Sequence, residues 1–133
     1  MIKGSCLCGQ ITFEVQENFH GMFFCHCSKC RKVTGSSNAS LLGTAKQKLR
    51  WVAGEDKLAS FTSPSGYYVV FCPECGSPLP KAKWDKIYLV PAGTLEGAPI
   101  INERMHLFCD SKAPWYEITD DHEQHAEWFP RDA

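Results

Sequence analysis

The chain has 133 residues, a length that fits one domain and leaves little material for a second core. Hydrophobic residues make up 44% of the chain and charged residues 22%, which is typical of globular proteins and excludes extended disorder. The net charge of -1 gives no electrostatic reason to expect nucleic acid or an anionic membrane as a partner. We therefore expect residues 1–133 to form a single globular domain.

The predicted elements begin with short strands. Residues 10–16 alternate polar and apolar side chains at the period of a half-buried strand, and the apolar run 22–24 predicts a second strand ending at Cys25. Residues 28–34 predict two helical turns, which Gly35 would stop. Runs rich in β-forming residues predict further strands at 49–52, 67–71, 87–90 and 105–108.

Turn-forming residues separate these runs, as at residues 63–66 and 96–99. Sustained helical periodicity never exceeds about three turns, so the pattern predicts a mainly β, largely antiparallel fold with short helical turns. The polar tail, residues 120–133, contains Trp128 and Phe129, and we expect it to pack loosely on the domain. No pattern in the sequence predicts an oligomeric state.

Cysteine is the unusual feature of the composition, with eight residues in a short chain. Seven of them fall in tight local groups, at positions 6 and 8, at 25, 27 and 30, and at 72 and 75. A disulfide framework usually spreads its cysteines to close long loops, whereas thiolates two or three positions apart can converge on one ion. The spacing therefore favours metal binding over disulfides, and reduced thiols favour a cytoplasmic location.

The same location is favoured by the hydropathy of the chain. The first residues contain no apolar segment of the kind that a secretory signal carries. No stretch reaches the roughly 20 apolar residues of a membrane span. We therefore expect a cytoplasmic protein without a membrane partner.

Two of the cysteine groups predict a closed metal site. Cys72 and Cys75 form a zinc knuckle in which Gly76 allows a sharp turn of the backbone. Cys6 and Cys8, which are also followed by a glycine, would complete the tetrahedron. A structural zinc at these thiolates would tie the N-terminus to the middle of the chain. The alternative is that Cys6 and Cys8 are ordinary buried thiols.

Cys25, Cys27 and Cys30 predict a second site of a different kind. Three thiolates so close together can cap one face of a zinc ion, and no fourth ligand is obvious nearby. Three protein ligands and an open position are the pattern of a catalytic zinc, so we expect two zinc ions per chain. A second closed site is the alternative, completed by His26, His106 or Cys109. A different grouping of the eight cysteines is also open.

Basic residues crowd the loop of the three-cysteine group, namely Lys29, Arg31 and Lys32. Their charge would favour thiolates and could attract an anionic substrate, although each is also an ordinary surface residue. Cys109 lies outside both groups, and we interpret it as a small buried hydrophobe at the end of a strand.

Three motifs stand in order along the chain: G-S-C-L-C-G at residues 4–9, C-H-C-S-K-C-R-K at 25–32 and F-C-P-E-C-G-S at 71–77. With the segments 93–95, 106–108 and 111–115, they resemble the glutathione-dependent formaldehyde-activating enzyme family. Centromere protein V belongs to the same superfamily. The resemblance covers nearly the whole chain and marks residues 1–133 as a zinc-binding domain of this type.

The resemblance implies a β-tent of folded antiparallel sheets, similar to the fold of methionine sulfoxide reductase B. It also implies a structural zinc on Cys6, Cys8, Cys72 and Cys75 and a catalytic zinc on Cys25, Cys27 and Cys30. The family's founding activity is the condensation of formaldehyde with glutathione to S-hydroxymethylglutathione, which is classed as a carbon–sulfur lyase reaction in reverse.

The leading hypothesis is therefore a zinc-dependent carbon–sulfur lyase or synthase. It would bind a small thiol, such as a glutathione adduct, at the open three-cysteine zinc. The alternative is a non-catalytic zinc module with two structural zincs that recognises a protein partner. A third hypothesis is a zinc reservoir or redox sensor that uses the exposed cluster.

Overall fold

A four-stranded sheet is built mainly from the N-terminal part of the chain in the computed structural model, which describes residues 1–128. Strands β1 (Ile2–Ser5) and β2 (Thr12–Val15) form an antiparallel hairpin. A further strand pairs with each side of this hairpin, and both of these pairings are also antiparallel. Phe13 and Val15 point inward and are fully buried, as the alternation of this segment predicts. The edge strands of the sheet are β5 (Leu49–Ala53) beside β2 and β10 (Leu95–Glu96) beside β1.

A six-stranded sheet forms the second layer, in the order β12-β11-β3-β4-β9-β8. Its strands are β3 (Asn18–Cys25), β4 (Ala39–Ala45), β8 (Lys81–Lys83), β9 (Ile87–Pro91), β11 (Ile100–Leu107) and β12 (Glu123–Gln124). The predicted mainly β fold, with antiparallel sheets and short helical turns, is confirmed. A separate hairpin joins β6 (Ala59–Thr62) to β7 (Tyr68–Phe71).

Two pairings in this sheet are parallel, which the sequence pattern did not predict: β11 runs parallel to β3 and to β12. The reason is topological. Both β3 and β11 follow directly after a strand of the four-stranded sheet, so both begin at the same end of the six-stranded sheet and run in the same direction. At that end the Ile100 N–H donates to the Glu17 carbonyl over 2.8 Å.

The core lies where the two sheets face each other. Phe13 from the first sheet and Phe19, Leu42 and Val90 from the second are buried in one cluster. Burial of such large apolar side chains is the main favourable contribution to folding. Gly4 is needed in β1 because a Cβ atom there would lie 2.2 Å from the ring of Phe13.

The predicted helical turns are the helix α1 (Ser28–Thr34), with the predicted end. Gly35 adopts the left-handed conformation at φ 63°, and its N–H donates to the Arg31 carbonyl. Cys27 caps the start of the helix, because its sulfur accepts from the Cys30 N–H over 3.3 Å. Within residues 1–128 no helix combines the length and apolar composition that crossing a bilayer requires.

The tail is attached more closely than the sequence predicts. The His125 N–H donates to the His106 carbonyl over 2.9 Å, and the Phe108 N–H donates to the Glu127 carbonyl over 2.9 Å. The expected loose packing is therefore wrong for this stretch, because backbone hydrogen bonds hold it along β11. The predicted packing of Phe129 lies outside the described residues.

Candidate metal centres and cavity

Four sulfur atoms from two distant segments meet at the end of the four-stranded sheet. The sulfurs of Cys6, Cys8, Cys72 and Cys75 all lie within 4.8 Å of one another. The Cys6–Cys8 and Cys8–Cys72 separations are 3.6 and 3.7 Å. Ligands 2.3 Å from a tetrahedral zinc stand about 3.8 Å apart, so this sulfur set fits the geometry of such an ion.

Backbone turns and hydrogen bonds hold these sulfurs in place. Gly9 and Gly76 follow the two cysteine pairs with φ values of 81° and 76°, which a residue with a Cβ rarely adopts. The Ile11 N–H lies 3.4 Å from the Cys6 sulfur, as a donor to a thiolate does. These features fit a set of negatively charged sulfurs, since N–H groups aimed at sulfur stabilise the thiolate form.

Ser77 connects the two halves of this cluster. Its hydroxyl oxygen accepts from the Leu7 N–H over 2.8 Å and lies 3.3 Å from the Cys75 sulfur. Hydrogen bonds from the Ser77 hydroxyl and backbone N–H lower the pKa of Cys75 to about 5. Ser77 therefore favours the thiolate form of Cys75, a role that the sequence analysis did not assign to this last residue of the motif 71–77.

A second group of sulfurs lies at the connection between β3 and α1. The sulfurs of Cys25, Cys27 and Cys30 also lie within 4.8 Å of one another. Cys25 ends the strand, Cys27 caps the helix and Cys30 lies in its first turn, so one tight corner aims all three sulfurs together. Hydrogen bonds from the Cys25 and Cys30 thiols, helped by the Cys30 N–H, lower the pKa of Cys27.

The expected alternatives for a fourth ligand are not part of this group. Among residues 1–128, no further histidine, cysteine or carboxylate ligand atom joins the three sulfurs at that mutual distance. His26 is fully buried and turned to His106, and Cys109 lies half-buried in a turn after β11. The three sulfurs can hold a metal ion, and their role as ligands stays a prediction.

Tyr67 is the neighbour of this cluster that the sequence analysis missed. Its hydroxyl oxygen lies 3.2 Å from the Cys30 sulfur, at the start of the segment leading into β7. Burial and the hydrogen bond with the Cys30 sulfur raise the pKa of Tyr67, so the phenol stays protonated and can donate to that sulfur. A tyrosine preceding a strand has no sequence signal that separates this role from ordinary packing.

A buried histidine pair lies behind the cluster. His26 Nε2 and His106 Nδ1 are 2.8 Å apart, and His106 Nε2 lies 3.0 Å from the Asp120 carboxylate oxygens. Burial and the neighbouring His106 lower the pKa of His26, so it remains neutral. His26 and His106 were possible fourth ligands in the sequence analysis, and the structure instead buries both and pairs them through their ring nitrogens.

We predict that a His106→Ala variant loses roughly 2–4 kcal/mol of unfolding free energy, because it leaves a cavity and removes the partner of a buried His26 nitrogen. Denaturant unfolding followed by circular dichroism measures this loss. The matched control is His20→Ala, which removes an exposed imidazole from β3 and should change stability by less than about 0.5 kcal/mol. Equal stability of the two variants would contradict a structural role for the histidine pair.

A cavity of about 180 Å³ opens onto the three-cysteine group. Most of its wall is apolar, with residues such as Phe23, Leu107 and Phe108 around the sulfurs. The full lining consists of Phe23, Cys25, Cys27, Lys29, Cys30, Leu41, Tyr67, Lys81, Lys83, Leu89, Leu107, Phe108 and Trp128. A small pocket beside reactive sulfur, with a few polar groups, has the character of a ligand site.

The basic residues around the cavity differ from those predicted. Of the three basic residues singled out in the sequence, which are Lys29, Arg31 and Lys32, only Lys29 lines the cavity. Lys81 and Lys83 on β8 line it as well, although they lie about fifty residues away in the chain. Sequence distance hid these two, since β8 reaches the site only through the order of strands in the six-stranded sheet.

Comparison with known proteins finds relatives over most of the chain. A family model described as glutathione-dependent formaldehyde-activating enzyme matches residues 1–111. A Halomonas elongata protein, named provisionally as a glutathione-dependent formaldehyde-activating enzyme, is 28% identical over 129 residues. That alignment covers 89% of this chain and 81% of the relative.

A solved structure of a Rhodobacter sphaeroides protein is similar to this fold. The two superpose with a TM-score of 0.59 at 26% sequence identity. The match covers 72% of this chain and 89% of the other.

Proposed function

Because this chain belongs to the glutathione-dependent formaldehyde-activating enzyme family, we propose that it is a zinc-dependent carbon–sulfur lyase or synthase acting on a small thiol adduct. The observation that carries the proposal is the three-sulfur group at the wall of a cavity, with no fourth ligand atom among residues 1–128. Three protein ligands and an accessible position are what a catalytic zinc requires.

We assign two zinc ions to each chain. The structural ion would be held by Cys6, Cys8, Cys72 and Cys75, and the other by Cys25, Cys27 and Cys30. The soft sulfur donors and their spacing support zinc over harder cations such as magnesium or calcium. We infer that residues 1–133 act as one domain, since the four-sulfur group joins the start of the chain to its middle and the two sheets share one core.

In the synthesis direction, a thiol adds to formaldehyde. The sulfur forms a bond to the carbonyl carbon, the π electron pair moves to oxygen, and the proton of the thiol ends on that oxygen. Cleavage reverses each step and returns the thiol and the aldehyde. Zinc bound at the three-cysteine group supplies a Lewis acid that keeps an incoming thiol in its thiolate form at neutral pH.

The residues of the cavity position the reactants and exclude water. Phe23, Leu107 and Phe108 give the reacting atoms an apolar surrounding, in which electrostatic interactions are stronger than in water. With Cys30 as a thiolate ligand, the Tyr67 hydroxyl, 3.2 Å away, would donate to its sulfur and stabilise the negative charge. We infer a cytoplasmic setting, where thiols stay reduced and low-molecular-weight thiols are abundant.

The test is turnover by the zinc-loaded protein. Glutathione and formaldehyde are mixed with the protein, and the hydroxymethyl adduct is followed by NMR exchange spectroscopy against the uncatalysed rate. Acceleration by the native protein and not by a Cys27→Ser variant would support the proposal. If no thiol adduct is formed or cleaved faster than without protein, the alternative of a non-catalytic zinc module replaces it.

We expect Tyr67→Phe to lower the zinc affinity of the three-cysteine site about tenfold, because loss of a hydrogen bond to a ligand atom typically costs 10- to 100-fold. Competition with a chromogenic chelator measures this affinity. Tyr88→Phe is the control, since its hydroxyl accepts from Trp51 Nε1 and lies outside the cavity. An unchanged affinity in Tyr67→Phe would show that the 3.2 Å contact does not stabilise the thiolate.

A further inference from the structure

The charges around the cavity are all of one sign, apart from the sulfurs. Lys29, Lys81 and Lys83 line it, and no aspartate or glutamate of residues 1–128 does. An ammonium group on a ligand would therefore meet like charges and no carboxylate partner. This matters for substrate choice, because glutathione carries an ammonium group as well as two carboxylates.

Lys81 is the most confined of the three cations. Its ammonium group donates to the Tyr68 carbonyl over 3.0 Å and lies 4.3 Å from the centre of the Tyr67 ring. Burial at the wall of the cavity lowers the pKa of Lys81, because it removes water from around the charge. No carboxylate of residues 1–128 forms an ion pair with it. A confined cation without a carboxylate partner would be stabilised by an anionic ligand.

Lys83 faces the same cavity from the other end of β8. Its ammonium group lies 5.1 Å from the centre of the Trp84 ring and 4.6 Å from that of Trp128. These aromatic faces hold the cation at the wall of the cavity but do not neutralise it. Lys81 and Lys83 thus present two positive charges on one strand beside the three-sulfur group.

The sulfurs do not account for all of this positive charge. Three thiolates with a bound zinc ion would carry a net charge of minus one, which one of the three lysines balances. The other two lysines leave two positive charges at a mainly apolar cavity of about 180 Å³. A ligand with a single carboxylate, a short apolar body and a thiol that binds as a thiolate matches both charges and the size of the cavity.

We infer that this site selects a compact mercaptocarboxylate without an ammonium group, and that Lys81 and Lys83 bind its carboxylate while the sulfur reaches the three-cysteine zinc. The inference rests on the proposed function and narrows its substrate class. Lys81 and Lys83 are specificity residues, since they contact the carboxylate and not the reacting carbon.

The experiment compares the binding of four thiols to the zinc-loaded protein by calorimetry. The probes are 3-mercaptopropionate, neutral 2-mercaptoethanol, cysteamine and glutathione. We expect 3-mercaptopropionate to bind at least tenfold more tightly than 2-mercaptoethanol, with cysteamine weakest and glutathione weaker than 3-mercaptopropionate. In Lys81→Met and in Lys83→Met, the preference for 3-mercaptopropionate over 2-mercaptoethanol should fall at least fivefold.

Methionine keeps the apolar stem of lysine, and Lys86→Met is the matched control because Lys86 lies exposed in the same β8–β9 hairpin outside the cavity. A preference unchanged in both cavity variants, or equal loss in Lys86→Met, would overturn the inference. If glutathione binds more tightly than 3-mercaptopropionate, the inference fails while the proposed function stands. If no thiol binds and none is turned over, the proposed function fails as well.

Discussion

Replacing Cys72 by serine is expected to leave the protein unfolded at 25 °C, with less than one zinc ion bound per chain. Structural zinc sites contribute apparent binding energies of about 10–16 kcal/mol in small zinc peptides, whereas whole domains are stable by only about 5–15 kcal/mol. Cys72 is buried at the centre of the four-sulfur group, 3.7 Å from the Cys8 sulfur. Loss of this ligand therefore removes a contribution as large as the total stability.

Zinc content by atomic absorption and thermal melting by circular dichroism measure the effect. Cys109→Ser is the control, because Cys109 is a half-buried cysteine outside both sulfur groups. It should retain two zinc ions and a melting temperature close to that of the native chain. A Cys72→Ser protein that keeps the native melting temperature would show that the four sulfurs do not hold a structural ion.

The second large effect is expected at the other cluster. We predict that Cys27→Ser keeps the fold, retains one of the two zinc ions and loses at least about a hundredfold in turnover of thiol adducts. Cys27 is only partly buried and caps α1, so serine, a good capping residue, can take its place at the start of the helix. The fold survives because the main core lies between the two sheets.

Native-like circular dichroism with one zinc ion per chain is the expected signature of Cys27→Ser. Adding 3-mercaptopropionate to the native protein should change the environment of the second zinc, which cobalt substitution makes visible in the absorption spectrum. The variant should show no such change. Loss of both zinc ions together with the fold would mean that the three-cysteine group is structural, and the enzyme proposal would then be abandoned.

The two sulfur groups also differ in their surroundings. The four-sulfur group already offers four sulfur atoms to one ion, whereas the three-sulfur group faces a cavity lined by Phe23 and Phe108 and is joined by no fourth ligand atom among residues 1–128. This difference is why the proposed chemistry is assigned to the three-sulfur group. The lysines of β8 add positive charge to the wall of that cavity.

Local features of the chain were predictable from sequence wherever one segment carries its own signal. The helix Ser28–Thr34 ends at Gly35 as predicted, because a left-handed C-cap favours glycine. Strands with strong β-forming runs, such as β7 and β9, lie where the pattern placed them. Strands of mixed composition, including β1, β4 and β8, were missed because pairing with neighbours, and not propensity, makes them strands.

The spacing of the cysteines, together with the glycine after each of the two pairs, was enough to predict which sulfurs lie together. The role of these sulfurs as metal ligands is still a prediction. Spacing succeeds here because two thiolates two or three residues apart need only a local turn to reach one ion. The same reasoning could not assign the hydrogen bonds of Ser77 and Tyr67 to sulfur, since such hydrogen bonds leave no pattern in the chain.

By itself, then, the sequence determined the mainly β class, the two cysteine pairs, the cysteine triplet and the family resemblance, because each depends on residues close together in the chain. Tertiary structure alone decided what surrounds the three-cysteine group. The parallel pairing of β11 with β3 brings His106 behind His26, and the strand order places Lys81 and Lys83 at the cavity. Such contacts join residues that are tens of positions apart in the chain. They are determined by long-range strand pairing, which leaves no local signal in the sequence.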